Sequence, residues 1–249
     1  MKKTLPKLGL IVITTLILEI LGYTNQNKIA KAQEATEGKF NCDTSFGDGR
    51  ARCTSEKADF YIGGYRNGKF EGQGVLRYVN GDRYEGQFKN GLFNGTGIFI
   101  FAKNDRYEGT FQDGLFVGGT VTYANGDRFQ GKFKLFQDVE TKKISTQPYG
   151  KGVFIYASGD RYEGEFYGNS RGRGTIIRKD GSRCQGDFYS SELDGRGTCT
   201  FPSGARYQGE LRQGRPDGRG TLTQTNGKRL SGEFREGQFV DPNNPTKKP

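Results

Sequence analysis

Gly81-Asp82-Arg83-Tyr84-Glu85-Gly86-Gln87-Phe88-Lys89-Asn90-Gly91-Leu92-Phe93-Asn94-Gly95-Thr96-Gly97 recurs, with small changes, along most of the chain. Counted from the residue that precedes x-Gly, copies begin at Tyr61, Tyr84, Tyr107, Phe129, Tyr162, Cys184, Tyr207 and Leu230, and four of the seven steps are 23 residues. A fixed period of this length marks a repeat array, whose unit is too small to bury a core and must lean on its neighbours. Within a copy, Tyr84, Gly86 and Phe88 alternate with Arg83, Glu85 and Gln87. That period of two predicts a strand with one ring-bearing face and one charged face. Asn90-Gly91 ends the strand, and after a short loop Gly95-Thr96-Gly97-Ile98-Phe99-Ile100-Phe101 supplies a second. Turn signals at Asn80-Gly81, Asn104, Asn125-Gly126, Ser158-Gly159, Asp180-Gly181, Ser203-Gly204 and Asn226-Gly227 connect one copy to the next. The reading is an all-β chain of hairpins joined into one antiparallel meander.

Composition narrows the function. Of 249 residues 40 are Gly, and only 32% are hydrophobic, with 19 Phe and 13 Tyr against no Trp and one Met. The core is therefore expected to be thin and aromatic. The chain has no His, the commonest general base and metal ligand, which argues against an enzyme. No catalytic, cofactor or metal site is expected. The net charge is +10, but residues 1–32 hold five Lys and one Glu, so the remainder carries 33 basic and 27 acidic residues. These are mixed along the repeats, a pattern of solubility rather than of nucleic-acid binding.

The motif Tyr-x-Gly-x-Phe-x-x-Gly-x-x-x-Gly-x-Gly, with Gly-x-Arg before the next Tyr, resembles the MORN-repeat family over residues 61–237. The resemblance implies a long, twisted, single-layer sheet of about seven to eight hairpins, curved into an open groove. It also implies spacer, scaffold, dimerisation or phospholipid-binding roles. The Gly-x-Gly pairs enter strands and are not nucleotide fingerprints. Glycines on the aromatic face would let rings from an adjacent strand lie over the backbone.

Residues 1–32 read as a signal peptide. A basic start precedes the apolar run Leu8–Leu18, and Ala30-Lys31-Ala32 offers a cleavage site. An uncleaved membrane anchor is the alternative; either places the repeats outside the cytosol, periplasmic or extracellular, unless the anchor is inverted. Export agrees with the cysteines, which form two local pairs, Cys42 with Cys53 and Cys184 with Cys199. Residues 33–60 contain a degenerate first repeat, and in register all four cysteines face one side, each pair diagonal across a hairpin. Disulfides are expected, with buried thiols as the alternative.

The array proper spans 61–239, and 240–249 reads as a disordered tail. Phe129 to Tyr162 is ten residues longer than the norm, so Lys134–Tyr149 is expected to project as a loop, with Phe136, Val139 and Ile144 giving it apolar character. Contact with a partner and folding back on the sheet are both open. Two rows are candidate sites. Arg83, Arg106, Arg128, Arg161, Arg183, Arg206 and Arg229 could hold anionic headgroups, but neighbouring carboxylates point to ion pairs across strands. The aromatics Tyr84, Phe88, Tyr107, Phe111, Phe129, Phe133, Tyr162, Phe166 and Tyr207 could line a binding groove or serve only as core. The leading functional expectation is an exported, non-catalytic scaffold that binds a protein partner or itself through open sheet edges. An anionic phospholipid or polyanion ligand is second, and an envelope glycan hydrolase a distant third.

Overall fold

Turns with two successive residues at positive φ close the hairpins at 67–68, 90–91, 113–114, 213–214 and 236–237. Asn90 (φ 53°) and Gly91 (φ 87°) join β5 (Arg83–Lys89) to β6 (Leu92–Ile100). This backbone twist matches that of the flanking strands, and asparagine followed by glycine adopts it at least cost. In the computed structural model, residues 40–137, 144–168, 170–190 and 192–241 are described.

Before β5 lie β1 (Phe40–Asp43), β2 (Arg50–Ser55), β3 (Phe60–Arg66) and β4 (Lys69–Arg77). After β6 come β7 (Arg106–Gln112), β8 (Leu115–Thr122), β9 (Arg128–Gln137), β10 (Ile144–Ile155), β11 (Arg161–Tyr167) and β12 (Ser170–Ile177). β13 (Arg183–Phe188), β14 (Gly195–Thr200), β15 (Arg206–Arg212), β16 (Arg215–Thr223), β17 (Arg229–Arg235) and β18 (Gln238–Phe239) complete one sheet. Each strand pairs antiparallel with the next in sequence, so the sheet is an open meander with β1 and β18 at its ends. The expected hairpin array is present. The expected signal segment, its expected cleavage site and most of the expected tail lie outside the described residues.

Two expectations need correction. The second strand of a repeat starts at Leu92 rather than Gly95, because the link is a two-residue turn and not a loop. Gly95 has φ 77°, and the register shifts between Gly86 and Phe88, so a bulge interrupts the alternation that sequence reading follows. The second correction concerns 134–149. Lys134 to Gln137 pair with Gln147 to Ile144, so the insertion prolongs β9 and β10 as paired strand instead of forming a loop. Val139 falls outside the described residues.

The core is a chain of rings on one face. Tyr84 stacks on Phe93 at 3.8 Å and meets Phe88 and, from the following repeat, Phe111 edge-on, each at 5.1 Å. Such pairs add about 0.5–1.5 kcal/mol beyond burial. Ring contacts run without a break from Phe40 to Phe188 and resume at Tyr207 with Phe234. In the gap sits the Cys184–Cys199 disulfide.

Two sets of hydrogen bonds tie neighbouring hairpins at the sheet margins. At one margin, Asp59, Asp82, Asp105, Asp127 and Asp160 accept from the amides of Val79, Ala102, Ala124, Ala157 and Lys179, one repeat further on. At the other, the Gly91 amide donates to the Phe70 carbonyl and that of Gly114 to the Phe93 carbonyl. Ser182, Ala205 and Lys228 replace the aspartates in the last three copies.

Candidate functional site

The aromatic face offers little open surface. All nine rings of the candidate row are buried, from 0% exposed for Tyr84 and Tyr162 to 9% for Phe133. The hydroxyls of Tyr84, Tyr162 and Tyr207 are also used. Tyr84 Oη donates to the Gln87 carbonyl at 2.9 Å and Tyr207 Oη to the Glu210 carbonyl at 2.8 Å, both at bulges that free a carbonyl from the ladder. Burial pushes the phenols up, Tyr162 and Tyr207 to about 12. The rings fill the groove they were expected to line. Sequence reading also missed Phe70, Phe93 and Phe116, which recur nine residues after each repeat start and complete this filling. The signal was present, since the three share one register position.

At that same position the copy starting at Tyr162 has Arg171. It is 3% exposed, with its guanidinium 4.5 Å from the Phe166 ring centre and 5.6 Å from that of Tyr162. A guanidinium is planar and stacks on ring faces, so it replaces phenylalanine within the stack.

The arginine row lies on the opposite face, as expected, but its ion pairs differ from expectation. Arg83 with Glu85, Arg106 with Glu108 (3.0 Å) and Arg161 with Glu163 (2.9 Å) pair along their own strand, two residues apart, not across strands. Across the strands, the row's arginines face Ile100, Thr122, Ile155, Ile177, Thr200 and Thr223, none of them acidic. Arg128, Arg183, Arg206 and Arg229 have Gln or Ser two residues on, and among the described residues none of the four forms an ion pair.

Both cysteine pairs are disulfides. The members stand directly opposite each other, Cys42 with Cys53 and Cys184 with Cys199, rather than diagonally. The Cα separations are 4.0 and 3.9 Å, because each pair occupies a close, non-hydrogen-bonded site of the ladder. Cys184 takes the place of the repeat-start tyrosine.

The prolonged β9–β10 hairpin and the adjoining end of β11 carry one patch of exposed apolar surface, besides Tyr189, Val79 and Phe46 elsewhere. Leu135 and Tyr167 are each 51% exposed and Tyr149 is 39%. Tyr149 meets Tyr167 edge-on at 6.0 Å and Phe136 at 6.5 Å, with the Lys134 ammonium over its ring at 4.8 Å. Tyr149, Phe136 and Tyr167 thus form an aromatic island on the face opposite the core.

The sequence pattern of the MORN repeat matches residues 61–83, 84–106, 107–128, 148–161, 162–183, 184–206 and 207–229, more than half of the chain. The protein belongs to the MORN-repeat family. The MORN match omits 129–147, where the prolonged hairpin departs from the pattern, and stops before the Leu230 copy, which still forms β17. No curated protein matches the chain. Among solved structures, the chain is similar to the SAS-4 TCP domain of Drosophila melanogaster, solved with a proline-rich motif of Ana2. That match has 12% identity, covers 94% of this chain and 99% of that one, and has a TM-score of 0.32. The TCP10 domain of Danio rerio CPAP gives 9% identity, coverage of 78% and 95%, and a TM-score of 0.32. A virginiamycin B lyase from Staphylococcus aureus gives 11%, 79%, 89% and 0.16.

Proposed function

We propose that this MORN-repeat protein is an exported, non-catalytic scaffold of the cell envelope that holds a protein partner on the β9–β10 hairpin. The observation that carries the reading is the aromatic island in which Tyr149 and Tyr167 are exposed beside the half-buried Phe136, where the array departs from its period. The nine rings of the candidate row are consumed by the core, so they offer a partner no purchase without unpacking. Exposed tyrosines that keep one polar end wet are favoured anchors at protein interfaces. Two disulfides support an oxidising compartment outside the cytosol.

The test is recovery of partners from envelope extract by the full chain, beside a Tyr149→Ala/Tyr167→Ala variant. A defined protein retained by the parent at moderate salt and lost by the variant is the expected result. Equal recovery by both, or recovery of none, overturns the assignment. N-terminal sequencing of the exported protein is expected to start at Gln33.

A further inference from the structure

The outer face changes chemistry along its length. From β5 to β12 the arginine row is followed, one step along each strand, by a second row in which the carboxylates Glu85, Glu108 and Glu163 and the aliphatic Ile98 and Val153 are mixed with Thr120, Gln130 and Thr175. From β13 onward the same positions hold Gln185, Thr198, Gln208, Thr221 and Ser231. The residues between the arginines change likewise, from a mostly aliphatic set of Ile100, Ile155 and Ile177 with Thr122 to Thr200 and Thr223 alone. Every residue in these two rows from β13 to β17 is therefore cationic or a neutral hydrogen-bonding group. The nearest carboxylates, Asp187, Glu210 and Glu233, lie one row further in; Asp187 pairs with Arg173 at 3.7 Å and Glu210 with Arg196 at 3.5 Å, and Glu233 stands opposite Arg219. A shallow depression of about 600 Å³ sits in this region, lined by Arg196, Thr198, Gln208, Arg219 and Thr221.

Arg183, Arg206 and Arg229 stand two strands apart, a step of about 10 Å. That is the rise of one disaccharide in an extended β-linked chain. Threonine and glutamine beside each arginine offer donors and acceptors suited to sugar hydroxyls, while the aliphatic residues that would enter an acyl layer are gone from this end. We propose that the outer face of the last three repeats binds an acidic polysaccharide, with Arg183, Arg206 and Arg229 on successive anionic groups and Thr198, Gln208 and Thr221 on the hydroxyls between them. This face is separate from the hairpin island, and the proposal does not depend on the protein partner.

The full chain is titrated with alginate and dextran sulfate as acidic probes, with neutral dextran and with phosphatidylglycerol vesicles. Binding to an acidic polysaccharide, weakening as salt rises, is expected. Replacing Arg183, Arg206 and Arg229 by Gln lowers affinity on the order of tenfold or more. The matched triple at Arg83, Arg106 and Arg161 removes the same charge, yet changes affinity less than about twofold because those arginines are already ion-paired. Gln185→Glu/Gln208→Glu, which recreates the carboxylates of the first repeats and keeps every arginine, also weakens binding. Thr198→Val/Thr221→Val weakens it further while leaving net charge unchanged. Equal losses from the two arginine triples, indifference to the threonine change, or capture by the vesicles without polysaccharide binding each overturn the proposal.

Discussion

Gly164 shows how closely a residue is fixed by what crosses it. A Cβ there would lie 2.5 Å from Tyr162 Oη, and 2.6 Å from both the Arg173 carbonyl oxygen and the Gly174 Cα. The crossing ring comes from Gly164's own strand, two residues back, rather than from the adjacent strand as the sequence suggested; it then reaches over Gly174 on β12. Two of the three obstacles are backbone, which cannot swing aside. Gly164→Val is therefore expected to cost about 3 kcal/mol, at the upper end for an overpacked site. Gly118 is the contrast, since its nearest neighbour would be the Gly131 carbonyl oxygen at 3.4 Å. Gly118→Ala should shift stability by less than about 1 kcal/mol. Urea midpoints of the two variants measure the difference, and equal midpoints would refute the close-approach account.

At the scale of the hairpin, the sixth copy replaces a stacked ring by a covalent bond. In the copies that start with tyrosine, that ring lies over the paired glycines; at β13 and β14 the repeat-start position and the residue opposite it are Cys184 and Cys199, beside the glycine pair Gly186 and Gly197. A disulfide closing a loop of about 15 residues stabilises by roughly 3 kcal/mol. Cys184→Ala/Cys199→Ala is expected to lose about 2–4 kcal/mol. Cys184→Tyr/Cys199→Leu installs the Tyr207 and Leu222 pair of the following hairpin and should recover more than half of that loss. Thermal and urea unfolding of both variants check this, and no recovery would show that the bond does more than fill a ring's place. The hairpin is also the scale at which the sequence was most readable. Alternation, turn residues and the shared register of Cys53 and Cys199 set the strands and the disulfide partners. The bulge at Gly95 hid the start of β6, because a positive φ breaks the alternation that reveals a strand. The aspartate ladder stayed hidden because Asp82 follows Asn80-Gly81 and reads as one more turn residue, while its partner, the Ala102 amide, is a backbone group that sequence cannot display. The rings were legible as a row, but composition cannot tell a filled groove from an open one.

For the whole molecule, contacts run almost wholly between consecutive strands, so stability is distributed along the array as a sum of neighbouring terms. A property repeated in each hairpin then acts on all of it. Buried tyrosines are such a property. Tyr61, Tyr84 and Tyr107 are raised by burial above the ordinary phenol, Tyr207 to about 12 by burial and then the Glu210 charge, and Tyr162 to about 12 by burial against the opposing charge of Arg171. An unfolded tyrosine loses its proton near pH 10. Between that pH and the folded value the unfolded chain binds fewer protons than the native one, so stability falls as pH rises. The contribution is fully present below about pH 10 and is lost as pH passes through about 12. The chain should hold its urea midpoint from neutral pH to about 10 and then lose it steeply, with most of the tyrosinate absorbance appearing together with the collapse of the β-sheet circular dichroism. Phenylalanine at Tyr162 and Tyr207 should make the decline shallower, since those rings no longer ionise in the unfolded chain. Tyrosinate absorbance that develops fully near pH 10 while the circular dichroism is unchanged would mean that the rings meet solvent in the native state, and the solid aromatic groove would have to be given up.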